Sequence, residues 1–438
     1  MGSYVPSTQS QRQEMLKALD INSYDELYCD VPESVKLKDL LDLPKGKSEL
    51  EVVRDMTAIA EKNVLFRTIL RGAGAYDHYI PAIVKSIPQK EEFLTAYTPY
   101  QAEMSQGILQ SIFEYQTMIA ELTGMDIANA SVYDGASAAA EALAMCRDRK
   151  RSVSLISLSS HPDAVKTMET YCFASNNQLK TISCKGGRTD ISILESLLTD
   201  DVSAVYVQQP NFFGIFEDID AIAQCVHKAG AMLIVGCNPI ALAIMKTPSQ
   251  CGADIVVGEG QPLGMPIAFG GPYLGFMATT AKNMRKLPGR IVGQTVDHDG
   301  NTAYVLTLQA REQHIRREKA SSNICSNQAL CALTAAVYMS TMGADGMKQA
   351  AEQSMSKAHY LQRELCKLPN VELRYEQPYF DEFLLDMPKI DQILSSLERK
   401  GILGGLPFDD GVLWCVTEKV GKDMLDLVVA TCKEVLQA

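Results

Sequence analysis

The sequence predicts an α/β protein, with a mostly parallel sheet in a large domain and a small C-terminal α+β domain. Three observations carry this. Short apolar runs over 152–157, 203–208, 231–235 and 253–257 read as strands buried on both faces, the pattern of a parallel sheet. Amphipathic segments over 163–171, 191–198 and 219–229 alternate with them, a βαβ rhythm that covers both sheet faces with helices. After Arg290 the rhythm stops, and the tail 371–438 alternates short strands (371–375, 383–386, 411–416) with helices at 390–400 and 422–436. The expected division is an N-terminal arm at 1–47, the large domain at 48–325 and the small domain at 326–438.

Composition narrows the function classes. With 438 residues, 46% hydrophobic and 21% charged, the chain has the apolar content for a substantial core. Lysine and arginine number 41 against 53 acids, a net charge of −12 that argues against nucleic acid as the main partner. Twelve cysteines show no paired CxxC spacing, and the start Met1-Gly-Ser-Tyr-Val-Pro lacks an apolar signal region, so reduced thiols and a cytoplasmic location are expected. Six histidines without an HExxH or a Cys/His cluster point to no metal site, and no run of 18 apolar residues points to no membrane span.

Along the chain, a helix is expected over 11–19, followed by an extended arm over 30–47. Ser48 and Glu51 form a capping box for a helix that runs to about residue 63. The glycine-rich loop Arg71-Gly-Ala-Gly-Ala-Tyr76 does not follow a strand, so it is a poor dinucleotide fingerprint. Tyr97-Thr-Pro-Tyr-Gln-Ala-Glu-Met-Ser-Gln-Gly107 gathers hydroxyl, amide and carboxylate groups at a helix start. The helix carries Leu109, Ile112, Phe113, Met118, Ile119 and Leu122 at core spacing and stops at Gly124. The turn Tyr133-Asp-Gly-Ala-Ser137 opens a small-residue helix; its amides suit either a phosphate or an ordinary N-cap. Residues 251–277 form a glycine- and proline-rich crossing between two apolar runs, and no lysine stands between Lys246 and Lys282. Residues 300–308 read as irregular and 309–319 as a charged helix with Arg311, Arg316 and Arg317, which either meet an acidic partner or stay solvated. Helices over 327–342 and 345–366 follow.

Five segments carry a resemblance: Tyr97 to Gly107, Leu122-Thr-Gly124 through Glu141, Gln209-Pro-Asn-Phe-Phe-Gly214, Gly258-Glu-Gly-Gln-Pro-Leu-Gly264 with Gly270-Gly-Pro-Tyr-Leu-Gly275, and Arg316-Arg-Glu-Lys-Ala-Ser-Ser-Asn-Ile-Cys325. From near Tyr4 to the C-terminus the chain resembles the N-terminal half of the glycine decarboxylase P-protein family, in its split, two-subunit form. The resemblance implies a fold-type I pyridoxal-phosphate (PLP) transferase architecture. It also implies glycine decarboxylation with transfer of the aminomethyl group to the lipoyl arm of an H-protein.

Enzymes of this fold hold the cofactor by a lysine and keep its ring nitrogen protonated with an aspartate. Laying the family pattern on this chain puts Pro262 in the lysine's place and Gly236 in the aspartate's. The resemblance therefore implies a lysine-free subunit that completes the site of a homologous, lysine-bearing partner, plausibly as an α2β2 assembly, with the cofactor on the partner. The rival is an imine on Lys246 or Lys282. Candidate lining or interface residues are Tyr97, Thr98, Tyr100, Gln101, Glu103 and Gln106, then Tyr133, Asp134 and Ser137. Cys325, beside Asn323, is either a reactive thiol or, as is commoner, a buried free cysteine. The alternative function is a scaffold or regulatory pseudoenzyme.

Overall fold

A computed structural model describes residues 6–39, 41–96, 100–148, 150–320 and 322–437. The chain divides into two compact units, Met1–Val64 and Leu65–Ala438. The first holds α1 (Gln9–Ala18), capped by Thr8, and α2 (Glu49–Ala60), capped by Ser48 with Glu51 closing the expected box. Neither helix buries a residue, and Leu50, Val53, Met56 and Ile59 of α2 are all exposed.

The second unit is built on a seven-stranded sheet. Its strands are β1 (Ile127–Ala128), β2 (Val153–Ser157), β3 (Gln178–Ile182), β4 (Val202–Gln209), β5 (Met232–Cys237), β6 (Ile255–Glu259) and β7 (Gly275–Thr279). The spatial order is β1-β7-β6-β5-β4-β2-β3, parallel from β6 to β3, with β7 antiparallel to both β6 and β1. Alternation along the strands explains the uninterrupted apolar runs. Leu155, Val205, Leu233 and Val256 enter one core with α3 (Gln106–Thr123), α7 (Ile219–Lys228) and the first part of α8 (Ala329–Leu365). Ile156, Tyr206, Ile234 and Val257 enter the other, against α4 (Gly135–Cys146) and α5 (Pro162–Ala174). Between β3 and β4 lies α6 (Ile191–Leu197).

Two expectations need correction. Residues 302–307 are not irregular: β9 (Thr302–Thr307) pairs in full register with β8 (Ile291–Val296). The pattern is hidden because an edge hairpin buries little of its outer half. The segment 309–319 is not one helix but three short turns, because Leu308 and Arg317 take positive φ (53° and 52°), where a helix cannot propagate. The two helices expected over 327–342 and 345–366 form α8, broken at Gly343 (φ 60°). Beyond it, an antiparallel sheet of β10 (Glu372–Leu373), β11 (Glu382–Asp386), β12 (Leu406–Phe408) and β13 (Gly411–Cys415) packs with α9 (Ile390–Arg399) and α10 (Lys422–Gln437) around Trp414.

Candidate functional site

Where parallel strands end, their last carbonyls and the following loops leave a crevice, and ligands of open α/β sheets bind there. Here a cavity of about 520 Å³ lies at the ends of β4, β5 and β6, lined among others by Gln208, Gly236, Cys237, Gly258, Glu259 and Pro262. Of the residues singled out from sequence, it includes Gly236, Pro262, Tyr133 and Asp134.

Gly236 has a concrete steric reason. A Cβ built on it would meet the Tyr206 hydroxyl at 2.2 Å, because the tyrosine, on the neighbouring strand, reaches across the position a side chain would take. Pro262 follows Gln261, which is fully buried and pinned at both ends: its Oε1 accepts from the Tyr76 amide at 2.8 Å, and its Nε2 donates to the carbonyls of Tyr76 (3.0 Å) and Met265 (2.7 Å). The crossing is thus a braced turn, not a loose loop.

The start of α4 is spoken for. Asp134 caps it, its Oδ1 accepting from the Ser137 amide at 2.7 Å, and Glu259 Oε2 accepts from the Gly135 amide at 2.9 Å. Glu259 Oε1 also accepts from the amides of Gln261 (2.9 Å) and Leu274 (3.0 Å). A Cβ on Gly135 would lie 2.9 Å from the Glu259 nitrogen, so glycine is what lets the two segments meet. Burial pushes the Glu259 carboxyl up to about 7, and Asp134 adds to that against the three amide donors.

From other elements come residues the sequence reading did not single out. His161, N-cap of α5, accepts from the Asp163 amide on Nδ1 (3.1 Å) and faces the Ala73 carbonyl with Nε2 (2.8 Å); that pairing fixes the neutral tautomer with its proton on Nε2. At the head of β11, Glu382 accepts from the Ala73 amide (2.6 Å) and the Tyr76 hydroxyl (2.8 Å). Its neighbour Asp381 is 2% exposed, and its Oδ2 has no hydrogen-bond partner among the described residues. Burial raises both carboxyls, and the Glu382 charge works further against ionisation of Asp381. The available signals were two adjacent acids leading an apolar strand and Glu259 as the one acid between 255 and 280.

Other candidates lie elsewhere. Tyr97 and Thr98 lie outside the described residues. Tyr100 does not line the cavity; its hydroxyl donates to Asn327 Oδ1 (2.8 Å), and the Arg290 guanidinium stacks 4.2 Å above its ring. Gln106 is a brace, taking the Tyr304 amide on Oε1 (2.8 Å) and donating to the Tyr304 and Ala102 carbonyls. Gln101 and Glu103 are exposed, and Ser137 gives the cavity no lining atom. Cys325 is exposed rather than buried. Lys246 and Lys282 are exposed and off the cavity, Lys246 pairing with Asp220 at 3.2 Å. Arg311 is held by the carbonyls of Leu287 and Gly289, whereas Arg316 and Arg317 are exposed.

Comparison with known proteins gives this geometry a family. Residues 2–431 match the model of the glycine cleavage system P-protein. A probable glycine dehydrogenase (decarboxylating) subunit 1 from Desulforamulus reducens is 49% identical, over 98% of each chain. One from Geobacillus thermodenitrificans is 47% identical over 97% of each. Among solved structures, an inhibitor-bound glycine decarboxylase (P-protein) superposes with TM-score 0.91 at 39% identity, over 99% of this chain and 100% of that one. A sphingosine-1-phosphate lyase from Burkholderia pseudomallei (TM-score 0.69, 12% identity) shares the fold alone. The fold is therefore the fold-type I PLP transferase architecture.

That cofactor does not fit the groups present. It needs an amine, an acid beneath the ring nitrogen and free amides for its phosphate. Here stand Pro262, a glycine roofed by the Tyr206 hydroxyl, and a helix start already occupied by Asp134 and Glu259. No lysine or arginine is found among the described residues that line the cavity.

Proposed function

The chain belongs to the glycine cleavage system P-protein family, and on that premise we propose that it is subunit 1 of a decarboxylating glycine dehydrogenase. A homologous, lysine-bearing partner holds PLP and supplies its electron-sink chemistry to glycine. The aminomethyl group then passes to a lipoylated H-protein, in a cytoplasmic α2β2 assembly. The observation that carries this reading is the misfit just described: a proline and a glycine stand where the family pattern has the lysine and the aspartate, and the start of α4 is taken up by Asp134 and Glu259.

This chain's part is to complete the partner's site. The segment from Tyr97 to Gln106 is the candidate, since its exposed Gln101 and Glu103 have no task within the described structure, while Tyr100 and Gln106 hold the segment's shape. Tyr133 and Asp134 belong to this chain's own cavity. We retain the division into 1–47, 48–325 and 326–438 as a working proposal. It is supported by the start of α8 at Ala329 and by the separate antiparallel sheet that follows.

Two measurements test the proposal. The purified chain mixed with PLP should give no imine absorbance and no lysine adduct on borohydride reduction; a reducible adduct sinks it. Co-expressed with its lysine-bearing partner, the chain should copurify and support glycine decarboxylation that neither subunit shows alone. The scaffold reading separates at Glu103→Gln and Tyr100→Phe. Variants that assemble normally but lose turnover support a contribution to the site, and full turnover in both supports a scaffold.

A further inference from the structure

The cavity is roomy and its charged lining is acidic. A phosphate-binding pocket offers amides and cations. This one has Asp134, Glu259, Asp381 and Glu382 in its lining, with no lysine or arginine among its described lining residues. The His161 ring nitrogens are already engaged, by the Asp163 amide and the Ala73 carbonyl. Glu382 has a donor on each oxygen, whereas the Asp381 Oδ2 has none among the described residues although the residue is 2% exposed. An unpartnered buried carboxylate oxygen is expensive, on the order of 1–3 kcal/mol or more, and it marks where a donor is absent.

The donor is not a protein-held metal, since no three His, Cys, Asp or Glu among the described residues converge to hold one. Volume points the same way: about 520 Å³ suits an organic molecule rather than a bare ion. Tyr76, Tyr133, Tyr206 and Tyr273 also line the space, and aromatic faces attract ammonium groups. We propose that this cavity is a binding site for a small organic amine free of carboxylate and phosphate groups. An ammonium at Asp381 supplies the missing donor. The inference rests on the reading that this cavity does not hold PLP.

Titration calorimetry of the full-length chain, alone and in its heteromer, tests it with 1,4-diaminobutane as the probe and inorganic phosphate as the comparison. Saturable binding of the diamine at one site per chain is expected, with no phosphate binding. Asp381→Asn is nearly isosteric and removes a buried charge, so it should fold; it should weaken the diamine by about tenfold or more, the loss of one charged hydrogen bond. Ala136→Phe, which fills the cavity from the first turn of α4, should abolish binding. No saturable binding up to about 10 mM, unchanged affinity in either variant, or a preference for phosphate overturns the proposal. A borohydride-reducible PLP adduct instead overturns the functional reading beneath it.

Discussion

The rim of the cavity and the 100–106 segment drew attention in the sequence for the same reason, a density of polar groups among glycines or aromatics. In the structure they are opposites. At the rim Gly236 is locked by Tyr206, Gly135 by Glu259 and Gln261 by Tyr76, and the Asp381 Oδ2 is the exception. Along 100–106 only Tyr100 and Gln106 are tied down, and Gln101 and Glu103 face solvent. Polar density by itself therefore does not tell a filled site from an open surface. What separates them is whether each polar group already has its partner.

The sharpest way to break this contrast is at the rim. Gly236→Asp should destabilise the chain by about 3 kcal/mol or more, because the new side chain collides with the Tyr206 hydroxyl at a buried strand position. Adding Tyr206→Ala should recover part of that loss in thermal or urea unfolding. If Gly236→Asp alone is neutral, the locked-rim description fails.

Gln106→Ala comes next. It removes two hydrogen bonds that tie the start of α3 to β9 and a third to the Ala102 carbonyl, and leaves the Tyr304 amide without its acceptor, so a loss of about 1–3 kcal/mol is expected in urea titration. A neutral result would place Gln106 with the free members of its segment.

Asp381→Asn should act in the opposite direction and depend on pH. The folded carboxyl titrates above its unfolded value, so folding takes up protons and stability falls as pH rises through that interval. The asparagine variant escapes this. It should be more stable than the parent by about 1 kcal/mol or more at pH 8, and the gap should close below about pH 4, where the unfolded parent is protonated too. A gap that widens in acid would contradict the burial argument. At the small end, Glu103→Gln should leave stability within about 0.5 kcal/mol, as for any solvated side chain. Any effect on turnover then reports an intersubunit role and not folding.

The legible part of this protein was its local grammar. Strands β2, β4, β5 and β6 announce themselves because both faces are buried, and Gly124 ends α3 in the left-handed conformation expected of it (φ 72°). β9 was not legible, since Thr302–Thr307 sits in a hairpin only partly covered by α3. Neither was the break at Arg317, where a helix-compatible composition hides a positive φ. At the site, the losses at Gly236 and Pro262 could be read against a family pattern, but their cause could not. Tyr206 stands thirty residues before Gly236 and faces it only through the parallel register of β4 and β5. The acidity of the cavity is likewise a product of the fold, joining positions 134, 259 and 381 from three distant stretches.

The close fit around Gly135 and Gly236 also bears on reversibility. A single change of Pro262 to lysine would bring an amine into a cavity where Glu259 already holds the Gly135 amide and the Tyr206 hydroxyl already crowds Gly236. Each of those would have to be removed before the lysine gained anything, and each removal taken first opens a void or strands an amide. The intermediate sequences are worse than either end. On the proposed reading, an engineer seeking a self-sufficient chain would have to change positions 206, 236, 259 and 262 together.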